Sequence, residues 1–362
     1  MIPVSNPHVS KKALAYVRRC FAVNWFSQGM FNRRLEEAFA KRFGSRYATS
    51  CSNGSIALWL ALKACSIGAG DEVIVPTFTF SATTTAVIHA GAIPVFVDSE
   101  PRSYALDPDA VERAVTKKTK AIIVVHLYGL AADMGTLMRI ARKHHLRVIE
   151  DAAEGLGGSY KGKALGTIGD IGCFSFFANK VLTTGEGGMC VTNSKRLYER
   201  LILFKNHGTA AGHVYWSDVV GFNGRMTNLQ AAIGLSQLED FDRNLRHRYE
   251  VFERYARNLA DTPGIITLPY EKRTYSPWMF TLRIPSAKKG TICEELKRRG
   301  IEARPAFYPC HSMPVFRRYV RKGQRFPIAS SHSREMINLP TYPDLSKRDI
   351  DAVCNALRAV LR

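Results

Sequence analysis

Four β-branched runs separated by three stretches of helical periodicity constrain the fold of this chain more than any other feature. Residues 72–75, 93–97, 121–126 and 147–149 read as strands, and 80–90, 108–115 and 133–145 between them as helices. Apolar strands joined by helices form a largely parallel sheet buried on both faces, the α/β class. Function in such a sheet gathers at the carboxyl ends of the strands. Asp151, His126 and the stretch Thr77-Phe78-Thr79-Phe80 fall at such ends.

The aromatic run Phe174-Ser175-Phe176-Phe177 leads through Ala178 and Asn179 to Lys180, then to the turn Thr183-Thr184-Gly185-Glu186-Gly187-Gly188 and a strand over 189–192. Most lysines are solvated surface charges. One held between two buried strands cannot keep a hydrated ammonium; burial lowers its pKa and exposes a free amine. A free amine condenses with an aldehyde, the opening of pyridoxal 5'-phosphate (PLP) chemistry. PLP also needs a carboxylate to keep its pyridine nitrogen protonated. Asp151, with Glu154 one helical turn on, fits, although a strand-end aspartate can instead cap a helix. Phe80 offers an aromatic face for the ring. The turn Ser52-Asn53-Gly54-Ser55 opens an apolar helix over 56–65, so the amides of Gly54 and Ser55, with the Ser175 hydroxyl, are candidate phosphate donors. The alternative there is a plain helix cap.

At 362 residues the chain has the length of about two domains. The arm and single helix expected before residue 45 (32–43), a strand over 47–51, a glycine-rich loop over 155–172, a helix over 194–204 and a loop over 208–221 complete the first. A long helix over 229–260 has a break near Asp240, which we take as the boundary between a large domain, 1–240, and a smaller α+β domain, 241–362. The latter carries a strand over 277–284, helices over 291–299 and 346–361, and an extended stretch over 304–308.

The net charge of +20, with basic clusters at 246–248, 297–299 and 317–325, admits a nucleic-acid binder or an enzyme for an anionic substrate. No nucleic-acid-binding motif accompanies the charge, so no nucleic-acid partner is expected. No run of roughly 18 apolar residues occurs, and residues 1–19 lack a signal-peptide core, so no membrane association is expected. Eight cysteines are scattered without a CxxC pair or a His–Cys cluster, which argues against a metal site or disulfide framework and suits the cytoplasm.

The segments Ser52-Asn53-Gly54-Ser55, Pro76-Thr77-Phe78-Thr79-Phe80, His126-Leu127-Tyr128-Gly129, Glu150-Asp151-Ala152-Ala153-Glu154, Phe174-Ser175-Phe176-Phe177 with Asn179-Lys180, and Arg225-Met226-Thr227-Asn228-Leu229-Gln230-Ala231-Ala232 resemble the DegT/DnrJ/EryC1/StrS family of PLP-dependent nucleotide-sugar aminotransferases. The likeness runs from Ile2-Pro3-Val4 to Pro343-Asp344-Leu345. It implies the aspartate-aminotransferase fold (PLP fold type I) and a homodimer with shared active sites. By position, Lys180 carries the cofactor and Asp151 partners the pyridinium. Glu154 lies near the ring hydroxyl, Phe80 stacks on the ring, and Gly54, Ser55 and Ser175 hold phosphate. Asn223 reaches the phosphate from the second subunit. Residues 304–314 resemble members acting on GDP-linked sugars, and there Tyr308 and His311 are implied substrate contacts, with a structural loop role open for His311. His126 and His207 are expected to make structural hydrogen bonds.

The implied reaction moves the amino group of L-glutamate to the cofactor, leaving 2-oxoglutarate and pyridoxamine 5'-phosphate. It then passes to the C4 ketone of a nucleotide-diphosphate 4-keto-6-deoxysugar, GDP-4-keto-6-deoxy-D-mannose, giving GDP-perosamine for surface polysaccharide such as O-antigen. The alternatives are a UDP- or dTDP-linked 4-keto or 3-keto sugar, and, in another class, a basic PLP-fold regulator of nucleic acid, for whose added domain the chain has no room. Related sugar 3-dehydratases carry histidine where Lys180 stands. Ala178 and Gly224 depart from the usual glycine and aromatic at those positions.

Overall fold

Seven strands form the central sheet. In the computed structural model, which describes residues 1–210, 212–270, 274–285 and 288–361, they are β1 (Tyr47–Cys51), β2 (Glu72–Pro76), β3 (Ile93–Val97), β4 (Thr119–Val125), β5 (Arg147–Asp151) and, after the short hairpin β6 (Ser159–Tyr160) and β7 (Lys163–Ala164), β8 (Ile171–Ser175) and β9 (Gly188–Thr192). Their order across the sheet is β1-β9-β8-β5-β4-β2-β3. β8, β5, β4, β2 and β3 are parallel neighbours, whereas β9 pairs antiparallel with both β8 and β1 and so runs against the rest.

Side chains alternate across the sheet and divide the core in two. Ile122 and Val124 face one way, onto Val111 of α5 (Pro108–Ala114) and Leu137 and Ile140 of α6 (Met134–Lys143). Ala121, Ile123 and Val125 face the other, into the larger core with Leu58 and Leu62 of α3 (Gly54–Ala64) and Val87 of α4 (Ala82–His89). With both faces covered, the strands need unbroken apolar runs, which is why they stood out in the sequence.

The N-terminal region differs from expectation. Two helices stand there, α1 (Lys11–Ala22) and α2 (Met30–Phe43), rather than one. α1 turns Ala13, Tyr16, Val17 and Cys20 to the core, but it fully buries only Ala13 and Cys20 and leaves the larger Leu14 and Phe21 exposed, so its inward stripe is weak in the sequence. After α7 (Lys195–Lys205), α8 (Asn228–Glu239) and α9 (Phe241–Leu259) meet at Asp240, where the break was expected.

Beyond it, β10 (Ile266–Thr267), β11 (Phe280–Arg283), β12 (Arg304–Pro305) and β13 (Met336–Leu339) form an antiparallel sheet in the order β10-β11-β13-β12, accompanied by α10 (Lys289–Arg298), α11 (Pro327–Glu335) and α12 (Lys347–Leu361). We propose residue 240 as the domain boundary, with the first residues siding with the C-terminal unit. Ile2 bridges Ile301, and the Thr341 amide donates to the Val4 carbonyl. The segment between β12 and α11 is tied to the ends of β2 and β3. The Cys310 amide donates to the Thr77 carbonyl (2.7 Å), and Asp98 accepts the amides of Ile328 (3.1 Å) and Ala329 (2.8 Å) at the head of α11. This delivers residues 307–311 to the carboxyl edge of the large sheet.

Candidate active site

Asp151 ends β5 and is 6% exposed. No helix follows it; the chain turns through 153–157, so the helix-cap alternative falls. Its Oδ2 accepts from Thr83 Oγ1 (2.8 Å) and its Oδ1 from the Ala153 amide (3.2 Å). Lys180 sits in the connection between β8 and β9, and its Nζ lies 4.0 Å from Glu154 Oε1. Glu154 Oε2 accepts the Tyr128 amide (2.7 Å).

Burial raises the Asp151 pKa against the pull of the Thr83 and Ala153 hydrogen bonds and of Lys180. Burial pushes Glu154 up to about 7, with Lys180 and the Tyr128 amide acting against it. Burial lowers the Lys180 pKa, and Glu154 and then Asp151 oppose that. The expected amine is largely out of solvent, its side chain 13% exposed, and is faced by two carboxyl groups.

Without cofactor, folded Glu154 binds its proton more tightly than the unfolded chain does. Its contribution leaves stability intact below about pH 4.5 and erodes it as pH climbs towards about 7. Glu154→Gln keeps an acceptor for the Tyr128 amide but cannot ionise. The stability of the variant relative to the parent is expected to rise across that window in denaturant titrations of the cofactor-free proteins. A difference that stays flat with pH means that Glu154 has the same pKa in the folded and the unfolded protein.

The candidate phosphate donors also converge. Asn53 caps α3, its side chain accepting the Ile56 amide (2.9 Å), and the amides of Gly54 and Ser55 head the helix. A Cβ on Gly54 would lie 2.8 Å from Ser175 Cβ, so only glycine lets the helix end approach β8 this closely. Across the strand, a Cβ on Gly188 would meet the Asn53 carbonyl at 2.6 Å. A helix end, a serine hydroxyl, a buried strand-end carboxylate and a largely buried amine at one sheet edge fit PLP. Phe80 is 58% exposed and packs on Phe307 (5.8 Å between centroids), leaving much of its surface open to a ligand.

The residues carried over by resemblance alone lie at the margin. Asn223 is exposed and bridges Asn206. Tyr308 is exposed. His311 is half-buried and stacks on Phe326 at 4.5 Å. Thr77 Oγ1 accepts the His311 amide (3.2 Å) and shares a hydrogen bond with Nδ1 (2.8 Å). Burial holds the ring pKa below its ordinary value. That burial favours the neutral ring.

His126 is fully buried, and Ala132 donates to its Nδ1 (3.4 Å), so Nε2–H faces Glu150 Oε2 (2.9 Å). Glu150 also accepts the amides of Gly166 (2.8 Å), Ile168 (2.6 Å) and Gly169 (2.6 Å), fixing the glycine-rich loop. His207 is exposed, and its amide donates to the Phe222 carbonyl (3.0 Å).

Three residues around the site were not singled out from sequence. Thr83 orients Asp151 from α4, and nothing in a threonine within an apolar helix announces that. Tyr128 adopts φ 51°, a left-handed conformation that aims its amide at Glu154; the following Gly129 was the available signal. Trp278 lies under Lys180, with Nζ 3.9 Å from its ring centroid, but its sequence context marks only an apolar strand.

A family model described as the DegT/DnrJ/EryC1/StrS aminotransferase family matches residues 7–358. The chain is 42% identical to a GDP-perosamine synthase of Escherichia coli O157:H7, covering 98% of this chain and 97% of that one. It is 43% identical to a GDP-perosamine synthase of Caulobacter vibrioides, covering 99% and 98%. Among solved structures, Spr1654 of Streptococcus pneumoniae in its PMP form superimposes with a TM-score of 0.94 at 26% identity, over 99% of this chain and 97% of that one. The fold is the PLP type I fold that the resemblance implied, and the chain belongs to the DegT/DnrJ/EryC1/StrS aminotransferase family as a PLP-dependent sugar aminotransferase.

Proposed function

We propose that the chain transfers the amino group of L-glutamate to the C4 ketone of GDP-4-keto-6-deoxy-D-mannose, yielding GDP-perosamine and 2-oxoglutarate. The observation that carries the reading is the identity of 42% and 43% to GDP-perosamine synthases over almost the whole chain, the 304–314 segment included. Bound here, PLP supplies an aldehyde to take up the amino group and a ring to accept electrons. Lys180 Nζ holds the cofactor and, when freed, moves the proton as base and acid. Asp151 keeps the ring nitrogen protonated, Glu154 lies near the ring hydroxyl, and Phe80 covers the ring. Gly54, Ser55 and Ser175 hold the phosphate. His311 and Tyr308 face the sugar nucleotide, whose diphosphate suits a basic protein.

The reaction belongs in the cytoplasm, where the eight thiols, all free in the structure, stay reduced. No described helix is long and apolar enough to cross a membrane. Incubation of the purified protein with glutamate and a panel of GDP-, UDP- and dTDP-linked ketosugars, followed by NMR of the product, tests the reading. An amine at C4 of the GDP sugar is expected. An amine at C3, or turnover confined to UDP or dTDP sugars, overturns the substrate while leaving the aminotransferase.

The site is completed by a second copy of the chain, with Asn223 reaching the partner's phosphate. Val214, Tyr215, Trp216, Val220 and Phe222 stand exposed beside it, a cluster of apolar side chains suited to burial against a partner. Mixing inactive Lys180→Ala and Asn223→Ala chains under subunit exchange is expected to restore part of the activity, because one mixed site holds both native residues. No recovery, with mixed dimers demonstrated, contradicts a shared site.

A further inference from the structure

Residues 275–278 cross from the C-terminal unit to the active site. The Ser276 amide donates to the Gly129 carbonyl (2.9 Å) and Ser276 Oγ to the Leu156 carbonyl (2.6 Å). A Cβ on Gly129 would lie 2.0 Å from the Ser276 carbonyl oxygen, so glycine alone permits this approach. The segment places the face of Trp278 under Lys180, and the indole N–H donates to the carbonyl of Asn179, the residue before the lysine (3.0 Å). Tyr128 stacks on Trp278 at 12°, with centroids 6.2 Å apart, and on Phe307 at 14°.

Behind Trp278 lies Arg248 of α9, 1% exposed and without an acidic partner among the described residues. Its Nη1 donates to the carbonyls of Trp278 (3.0 Å), Thr341 (3.3 Å) and Pro277 (3.4 Å), and its Nε has no partner among the described residues. A buried guanidinium with carbonyls alone around it is costly to keep. Burial lowers its pKa only to about 10, so it remains charged at neutral pH. The neighbouring Tyr249 hydroxyl donates to the Tyr275 carbonyl (2.7 Å), so one turn of α9 clamps the segment at both ends.

We propose that Trp278 is the positioning residue for the Lys180 amine, and that Arg248 fixes Trp278 in that place. The inference rests on the reading of Lys180 as the cofactor-bearing lysine that moves the proton. Whenever that amine is free, the indole face gives it one defined station, between Trp278 and the carboxyl groups of Glu154 and Asp151. A cation over an aromatic face is stabilised by the ring quadrupole, so the platform favours the ammonium. Its removal should let the Lys180 pKa fall.

The readout is the pH dependence of Lys180 acylation in the cofactor-free protein, followed by peptide mapping. It requires neither cofactor nor substrate, so its failure is distinct from failure of the substrate assignment. Trp278→Leu is expected to lower the midpoint by roughly 0.5–1 pH unit, and Trp278→Phe by less. Arg248→Met is expected to shift it in the same direction, and Arg248→Lys, with one ammonium for three carbonyls, by a smaller amount. Folding is checked by circular dichroism. If Arg248→Met does not fold, Arg248→Lys decides for that residue. An unchanged midpoint in folded Trp278→Leu overturns the platform. An unchanged midpoint in a folded Arg248 variant, with only its melting temperature lowered, reduces Arg248 to a structural role.

Discussion

Lys180→Ala is expected to lower turnover by about 10³-fold or more while leaving the protein folded. A positioned acid–base group contributes roughly 10²–10⁴-fold, and in its proposed role this lysine also holds the reacting group in place, a further contribution from orientation. The fold should survive because the side chain is a burden to it: burial acts against the ammonium, and the flanking Val181 and Leu182 carry the packing. Two measurements separate the roles. Borohydride treatment of the parent protein should fix the cofactor to the peptide containing Lys180. Adding a small primary amine to the variant should return part of the turnover, because a free amine entering the vacated space can take the proton that Nζ moves. A variant that keeps more than about a tenth of parent turnover, or a cofactor fixed to another lysine, removes Lys180 from the chemistry.

Much of the large domain was legible in the sequence because its strands are buried on both faces. Val73-Ile74-Val75 and Ile122-Ile123-Val124 cannot be read as anything but interior. Lys180 and Asp151 stood out as candidates, the one just after an aromatic run and the other at the carboxyl end of a buried strand. The C-terminal unit was harder. β10 and β12 are two residues long and carry no period, and α11 is headed by Asp98, more than two hundred residues earlier in the chain. α1 was missed because much of its apolar surface faces away from the core. Long-range partners were invisible throughout. Arg248 reads as one member of a surface basic cluster, yet it is buried against the backbone that carries Trp278. Thr83, Tyr128 and Trp278 are ordinary residues of a helix, a turn and the approach to a strand until the fold places them around Asp151, Glu154 and Lys180.

Asp151→Asn is expected to cost far more turnover than cofactor. The amide is nearly the same size, and the site can receive it without loss of hydrogen bonding. Its carbonyl oxygen can still accept the Ala153 amide, and Thr83 can turn its hydroxyl hydrogen to Thr79 Oγ1, 3.2 Å away, and accept from the new NH₂ group. What the amide cannot do is hold a proton on the ring nitrogen. Losing a charge-assisted hydrogen bond of roughly 1.5–3 kcal/mol corresponds to about ten- to a hundred-fold in rate. Loss of the ring's electron-accepting character adds to that figure. Retention of cofactor should be nearly intact, since Lys180 and the Gly54–Ser55–Ser175 cradle are untouched. The measurement pairs turnover with cofactor occupancy after dialysis. A folded variant with full occupancy and parent-like turnover places the partner of the ring nitrogen elsewhere. Turnover lost in proportion to cofactor makes Asp151 an anchor rather than an electronic partner. Thr83→Val offers the control: it removes the hydroxyl from Asp151 but leaves the charge, so its effect should be a small fraction of that of Asp151→Asn. Equal effects mean that the orientation of the carboxylate matters as much as its charge.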